Sequence, residues 1–185
     1  GMPAFLGRQT PGTIICNDED GVPLNVFIEP IISDPVLYVF GAGHVASQVV
    51  PFASRVGFKV IVIDDRNEFA NPRNFPDAEN VLNYPYDDVI KRFSIDKSSF
   101  IVIATRSHSC DEIVLRQALR TDAGYIGMIG SRRKISAIYE NLMREGFMDS
   151  DFKRVHSPIG IDIGAETPEE IALSIVSELV KVRAG

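Results

Sequence analysis

Three histidines and two glycine-containing turns are the residues of this 185-residue chain whose types and spacing could do chemistry. Residues 41–46 read GAGHVA and fit the pattern G-x-G-x-x-A, in which small residues let a backbone turn approach a phosphate group. His44 stands within this turn, and His108 and His156 come later in the chain. Imidazoles can hydrogen-bond an oxo-anion, transfer protons near neutral pH or bind a metal ion. The pattern therefore predicts a binding site for an anionic ligand.

The glycine turn has the neighbours that a dinucleotide-binding fold requires. An apolar run at residues 36–40 precedes it, helical periodicity follows it, and Asp64 closes a second apolar run 21 residues after Gly43. In such folds the N–H groups of the turn and the helix dipole bind a phosphate, and the acidic residue binds a ribose or a similar diol. Gly41, Gly43 and Asp64 are therefore predicted to contact the ligand. The alternative is a tight turn in a protein that binds nothing.

Charged residues extend this acidic position, because Asp65 and Arg66 follow Asp64 directly. Such clusters commonly lie in solvated loops, so the sequence leaves open whether one carboxylate or both would meet a ligand. The histidines are also ambiguous, because a single histidine is often structural. With Cys110 and Asp111 nearby they could bind a metal, although no H-x-x-x-H or C-x-x-C spacing supports a metal site.

A second turn, residues 130–134, reads GSRRK and follows an apolar run at residues 125–129. Three cations in the first turn of a helix oppose the helix dipole, which favours negative groups at that end. An anionic ligand would remove this conflict, so Gly130, Ser131 and Arg132 are predicted to contact a second phosphate or acidic group. A solvated basic turn is the alternative.

The elements that must position these turns form a regular pattern from residue 35 onward. Apolar runs at residues 36–40, 60–63, 100–104 and 125–129, with a weaker one at 81–82, alternate with helical periodicity. A first helix is predicted after Gly43, with a kink at Pro51. A second is predicted between the 81–82 and 100–104 strands, and a third from a capping box at residues 109–112. Two more are predicted over residues 131–146 and from Thr167 to about Arg183. This order predicts a doubly wound, Rossmann-like α/β fold with a parallel sheet, whose ligand crevice lies between its first and fourth strands.

The first 34 residues differ in composition from the rest of the chain. They are rich in Pro, Gly and Asp, with β-like runs at residues 13–16 and 24–28. They are predicted to form a hairpin around Asp20-Gly21, or the tail of a longer element. We therefore expect two parts: a short N-terminal β appendage at residues 1–34 and a Rossmann-like ligand-binding domain at residues 35–185.

Composition limits the partners of the chain. A net charge of −6 argues against an electrostatic grip on nucleic acid, so any anion site must be local. No apolar run approaches the ~20 residues of a membrane span, and no signal peptide is apparent. Cys16 and Cys110 are too few for a disulfide framework, which favours a reducing compartment. We therefore expect a cytoplasmic protein with no membrane or nucleic-acid partner.

Five segments of the chain together resemble a known family. They read GAGHVA, IDDRNEFANPRNFPDA, TRSHSCDEIVLRQAL, GYIGMIGSRRK and HSPIGIDIGAETPEEIALSIVSEL. The chain resembles the XdhC/CoxI family of xanthine dehydrogenase accessory proteins, and residues 36–183 are similar to its C-terminal Rossmann domain. Residues 12–30 are similar to the tail of the smaller N-terminal domain of that family, and we expect most of that domain to be absent from this chain.

The resemblance implies a chaperone more than an enzyme. Such proteins bind molybdenum cofactor, as molybdopterin or its dinucleotide form, present it to a cysteine desulfurase for sulfuration, and deliver it to a molybdenum hydroxylase of the xanthine dehydrogenase type. They also tend to form homodimers. The resemblance assigns no catalytic residue and no metal ligand. The residues that match the family's motifs are Gly41, Gly43, His44, Asp64, Asp65, Arg66, His108, Asp111, Gly130, Ser131, Arg132, His156, Pro158, Gly160, Asp162 and Gly164. Arg106 departs from the family, which often has histidine at that position.

Two other functions remain open from the sequence. One is an NAD(P)-dependent oxidoreductase, with Asp64 on the adenosine ribose and His108 or His156 as proton donor. Its weakness is the lack of an obvious second domain to cover a nicotinamide. The other is a domain that senses a nucleotide and signals through a partner.

Overall fold

The computed structural model describes residues 12–17, 21–29 and 34–185, and the chain divides into two compact units at residues 1–33 and 34–185. The predicted boundary lies one residue later. In the first unit, strands β1 (Gly12–Asn17) and β2 (Pro23–Ile28) pair antiparallel, with Gly12 opposite Ile28. Of the predicted turn, Asp20 lies outside the described residues, and Gly21 has a φ of +83°.

The second unit contains a parallel sheet whose strand order is β5-β4-β3-β6-β7-β8. Its strands are β3 (Val36–Phe40), β4 (Lys59–Asp64), β5 (Asn80–Asn83), β6 (Ser99–Ile103), β7 (Tyr125–Met128) and β8 (Val155–His156). Within the sheet, the first and fourth strands, β3 and β6, are neighbours, with Phe40 opposite Ile103. The strand order therefore reverses here, as predicted, and the Rossmann-like fold is confirmed.

Helices cover both faces of this sheet. They are α1 (His44–Arg55), α2 (His108–Ala118), α3 (Arg132–Arg144), α4 (Asp149–Phe152) and α5 (Pro168–Ala184). One core cluster contains residues of α1 and α5, such as Val49 and Ile175, and a second contains residues of α2 and α3, such as Leu115 and Ile138. The apolar strands are thus buried between two helical layers, which explains their continuous rather than alternating hydrophobicity.

The helix ends agree in part with the sequence patterns. Thr167 and Glu170 form the predicted capping box at the start of α5. Gly146, with a φ of +99°, follows α3, and the N–H groups of Gly146 and Phe147 donate to carbonyl groups of the last turn of α3. The predicted start of α2 is wrong: its N-cap is Ser107, whose hydroxyl oxygen accepts from the N–H of Cys110 at 3.2 Å.

Pro51 lies inside α1, which continues as one helix to Arg55, and the predicted kink there stays a prediction. Two further features differ from the sequence predictions. The short helix α4 was not predicted. Between β5 and β6, in place of the predicted helix, there is a 3-10 turn at Ile90–Arg92. The side chain of Gln117 accepts from the N–H of Ile90 at 3.1 Å and donates to the carbonyl of Tyr86 at 2.7 Å, so α2 supplies bonds that an α-helix would make internally.

In the part of the chain that the structure describes, no helix combines the length and apolar character needed to cross a membrane.

Replacing Thr167 should test how strongly α5 depends on its cap. In Thr167→Ala the N–H of Glu170 loses the hydroxyl that accepts its bond at 3.3 Å, so the free energy of unfolding should fall by about 1 kcal/mol. Thr167→Ser keeps a capping hydroxyl and should stay within about 0.5 kcal/mol of the parent. Urea unfolding followed by circular dichroism measures both, and an equal loss in the two variants would contradict the capping role.

Candidate ligand-binding site

The glycine turn lies at the carboxyl end of β3, where the sheet order reverses. Gly41 has a φ of +113°, and a Cβ atom there would lie 2.1 Å from the carbonyl oxygen of Ala104, just after β6. Gly41 is therefore required by the close approach of two chain segments. A Cβ atom on Gly43, by contrast, would have no neighbour within 4 Å, and His44 is exposed. The turn is therefore packed against the sheet at Gly41, and at Gly43 and His44 it is open to solvent.

The open side presents the N terminus of α1. Gly43 is the N-cap residue, so no side chain caps the helix, and the first turn has no acidic residue. The N–H groups of a first helical turn have no partner within the helix and bind anions well. This end of α1 can therefore accept a phosphate without displacing a side chain.

The side chain of Asp64 fixes the glycine turn by a hydrogen bond to its backbone. Its side chain is fully buried; Oδ2 accepts from the N–H of Ala42 at 2.7 Å, and Oδ1 accepts from the N–H of Arg66 at 3.0 Å. The Arg66 guanidinium also donates to both carboxylate oxygens at 2.9 Å and stacks over the Phe69 ring. Burial alone would raise the pKa of Asp64, but the bonds from Arg66 and Ala42 lower it. Asp64 thus fixes the turn, and its contact with a ligand diol stays a prediction.

Asp111 fixes the loop after β6 in the same way. This residue of α2 is fully buried, and its Oδ1 accepts from the N–H of Thr105 at 3.0 Å and from the Thr105 hydroxyl at 2.6 Å. Its Oδ2 forms an ion pair with the ammonium of Lys134, which also donates to the carbonyl of Ile129 at 3.0 Å. A buried carboxylate must be paired, and Lys134 is its counter-charge.

This pairing corrects the interpretation of the basic GSRRK turn. Lys134 was taken to be one of three cations that would need an anionic ligand, whereas Asp111 already neutralises it. Arg132 and Arg133 are exposed and remain as the cations of that turn. These contacts also link the two turns. Gly41 of the first turn packs against Ala104, and the N–H of the next residue, Thr105, donates to Asp111. Asp111 in turn pairs with Lys134 of the second turn.

The second turn opens onto a cavity of about 600 Å³. Its other wall is the loop that follows β8. The predicted residues Gly130, Ser131, Arg132 and Asp162 all line this cavity, and five of its nine other lining residues are isoleucines. A concave, mainly apolar site with a few convergent polar groups is typical of small-molecule binding.

A partly buried carboxylate that the sequence analysis missed holds that loop. Glu178 of α5 accepts from the Tyr125 hydroxyl at 2.5 Å and from the N–H of Gly160 at 2.8 Å, and its other oxygen lies 3.0 Å from Nδ1 of His156. Burial would raise the pKa of Glu178, but the bonds from Tyr125, Gly160 and His156 lower it. The signal in the sequence was a single glutamate within the apolar stripe of α5.

The three histidines occupy different positions at this edge of the sheet. His44 and His108 are the first residues of α1 and α2, after the adjacent strands β3 and β6, and both side chains are exposed. His156 lies on β8, two strands beyond β6, with its ring against Tyr125. Within residues 12–17, 21–29 and 34–185, no group of three or more His, Cys, Asp or Glu side chains could hold a metal ion.

Alanine at the two glycines of the first turn should lower the free energy of unfolding by different amounts. Gly41→Ala places a methyl group against the Ala104 carbonyl at positive φ, so the free energy of unfolding should fall by about 2–4 kcal/mol. Gly43→Ala has free space and a φ of −86°, so its loss should stay below about 1 kcal/mol. Urea unfolding measures both, and equal stability of the two variants would contradict the close approach at Gly41.

The Glu178 network should make stability depend on pH. Because the folded-state pKa is lowered from 4.5, the carboxylate stabilises the fold above that value and this contribution is lost as pH falls through the folded pKa. Glu178→Gln should therefore lose about 1–3 kcal/mol at neutral pH, and the difference from the parent should shrink in acid. Urea unfolding at a series of pH values tests this. The exposed Glu140→Gln is the control, and a pH-independent difference for Glu178→Gln would contradict the assignment.

Comparisons with known proteins agree with this arrangement. Residues 37–179 match the model of a protein family described as the XdhC Rossmann domain. The chain is 32% identical to the uncharacterized protein YqeB of Escherichia coli (strain K12) over 97% of its own length and 33% of that protein. It is 31% identical to a probable xanthine dehydrogenase subunit of Bacillus subtilis (strain 168) over 86% of its own length and 46% of that protein.

A solved structure gives the same result. The crystal structure of a xanthine dehydrogenase from Bacillus halodurans is 31% identical and superposes with a TM-score of 0.73, covering 90% of this chain and 47% of that one. The chain thus spans between a third and a half of the length of these relatives. The resemblance seen in the sequence motifs is confirmed, and the chain belongs to the XdhC Rossmann domain family.

Proposed function

We propose that this chain binds molybdenum cofactor, as molybdopterin or its dinucleotide form, and assists the maturation of a xanthine dehydrogenase-type molybdenum hydroxylase. The observation that carries the proposal is the pairing of an uncapped helix N terminus at Gly43 with the cavity beside Arg132, on one edge of one sheet. The relatives named for xanthine dehydrogenase support the choice of hydroxylase.

The residues present fit such a ligand. Its terminal phosphate would bind the N–H groups after Gly43, where the chain leaves open space. Arg132 and Arg133 are exposed cations that would bind a second phosphate or an acidic group of the ligand. The apolar walls of the 600 Å³ cavity would shield the pterin from water. When bound, the cofactor supplies the redox chemistry, and the residues of this chain bind and orient it.

The partners in this proposal are a molybdenum hydroxylase, which receives the cofactor, and a cysteine desulfurase, which supplies sulfur. A cytoplasmic site of action fits the two cysteines, of which Cys16 is exposed, Cys110 is buried, and neither is in a disulfide. A homodimer is part of the same proposal, and the half-exposed Leu173 on α5 supports it.

The oxidoreductase alternative has less support. It requires Asp64 to bind a ribose, whereas both oxygens of Asp64 accept bonds from Ala42 and Arg66.

Anaerobic co-purification from a host that makes molybdenum cofactor tests the proposal. Molybdenum and pterin bound to the protein should be close to stoichiometric in the parent, and nucleotide should accompany them if the dinucleotide form is bound. They should fall roughly tenfold in the double variant Arg132→Gln/Arg133→Gln, because two charge-assisted bonds are lost. Lys181→Gln, an exposed cation on α5, is the control and should retain the parent amount.

Three results would contradict the proposal. Bound NADH with hydride turnover would favour an oxidoreductase. A bound nucleotide without pterin, and without any effect on activation of a hydroxylase, would favour a sensing domain. A protein that retains neither pterin nor molybdenum under these conditions would remove the basis for cofactor handling by this chain.

A further inference from the structure

An ion pair crosses the glycine turn. Asp65 directly follows β4 and Arg106 follows β6, and these two strands are the neighbours of β3 on either side. Nε of Arg106 donates to one carboxylate oxygen of Asp65 at 3.2 Å, and Nη2 donates to the other at 2.6 Å. The pair therefore connects the two loops that flank the glycine turn, along the edge on which a ligand must lie.

A buried hydroxyl without a partner lies in the same neighbourhood. Tyr86 is 3% exposed, and its hydroxyl has no hydrogen-bond partner among the described residues. Tyr84, two residues earlier, donates its N–H to the carbonyl of Asp64 at 3.2 Å, which places this segment beside the end of β4. Burial first, and then the negative charges of Asp64 and Asp65, raise the pKa of Tyr86, so its hydroxyl is a neutral donor. Because buried polar groups are nearly always hydrogen-bonded, an unpartnered hydroxyl here indicates a group that is still to bind.

Arg106 differs from the other cations near the glycine turn in how firmly it is held. Arg66 is bonded to Asp64, and Lys134 to Asp111, and both of these carboxylates are fully buried. The Arg106 side chain is 48% exposed and its partner Asp65 is 19% exposed. Ion pairs in contact with solvent contribute little net stability, whereas separating a buried pair is costly. Arg106 can therefore exchange its partner, while Arg66 and Lys134 stay in place.

We propose that Arg106 and Tyr86 form a binding subsite for a phosphate ester, and that Asp65 is an internal competitor which occupies Arg106 until the ligand displaces it. A phosphate offers the guanidinium the same two-oxygen geometry as a carboxylate, with more negative charge, and a third oxygen can accept from the Tyr86 hydroxyl. Asp65 then controls access to the subsite instead of binding the ligand. This inference rests on the proposed function in taking the ligand to be a phosphate ester.

Binding of inorganic pyrophosphate to the full chain, measured by isothermal titration calorimetry at low ionic strength, tests the subsite. Arg106→Gln should weaken binding roughly tenfold and Tyr86→Phe about threefold, because each removes a donor to the anion. Asp65→Asn should strengthen binding about threefold to tenfold, because Arg106 loses its competitor. In the double variant Asp65→Asn/Arg106→Gln this gain should disappear.

The control is Lys153→Gln, which removes one positive charge from an exposed residue after α4. Urea unfolding of each variant establishes that it is folded. Three results would overturn the subsite: no binding of millimolar pyrophosphate by the parent, unchanged or weaker binding by Asp65→Asn, or equal binding by Arg106→Gln and the control.

The same variants separate this inference from the proposed function. If pyrophosphate binding follows the expected order but no pterin co-purifies with the parent, the subsite stands and the proposed cofactor is wrong. If pterin co-purifies in equal amounts with the parent and Arg106→Gln, and pyrophosphate binding is also unchanged, the cofactor proposal stands and the subsite is wrong.

Discussion

The buried carboxylate of Asp111 is the constraint on which the edge of the sheet that carries the two turns depends. It has no contact with solvent, so its charge must be balanced inside the protein. Lys134 supplies the counter-charge from α3, and Thr105 supplies two donors from the loop after β6. One side chain therefore joins α2, α3 and the β6 loop. Because Gly41 packs against Ala104, the residue before Thr105, the position of the glycine turn depends on the same contact.

Two other carboxylates, one fully buried and one partly buried, also bind backbone N–H groups. Asp64 holds the glycine turn through Ala42, and Glu178 holds the loop after β8 through Gly160. Bonds of this kind to a charged acceptor are stronger than bonds between neutral groups. Turns that would otherwise depend on weak local preferences are thereby fixed before any ligand arrives, which reduces the entropy that binding must overcome.

The distribution of positive charge follows from this arrangement. The chain carries a net charge of −6, so attraction of an anion depends on a few local cations. Arg66 and Lys134 are used internally, whereas Arg106, Arg132 and Arg133 are exposed at the sheet edge. A ligand with two separated anionic groups would match a site with cations on both sides of β6. This match supports the proposed binding of a phosphorylated cofactor.

Local sequence patterns were enough to predict the fold, the glycine turn and the family. Strands buried on both faces must be continuous apolar runs, and helices on a sheet must be apolar every three or four residues, so residues near one another in the sequence carry this information. The segment between β5 and β6 lacked such a signal, since its 3-10 turn is held by Gln117 of a later helix, and its form was mispredicted.

The partners of the charged residues were decided only by the tertiary structure. Asp65 and Arg106 are 41 residues apart, and Tyr125 and Glu178 are 53 apart. The sequence does not distinguish Lys134 from Arg132 and Arg133 in the same turn, but among the described residues only Lys134 of the three has a buried carboxylate as partner. Which charges meet depends on the order of strands in the sheet and on the high cost of leaving a buried carboxylate unpaired, and neither is contained in a local pattern of residues.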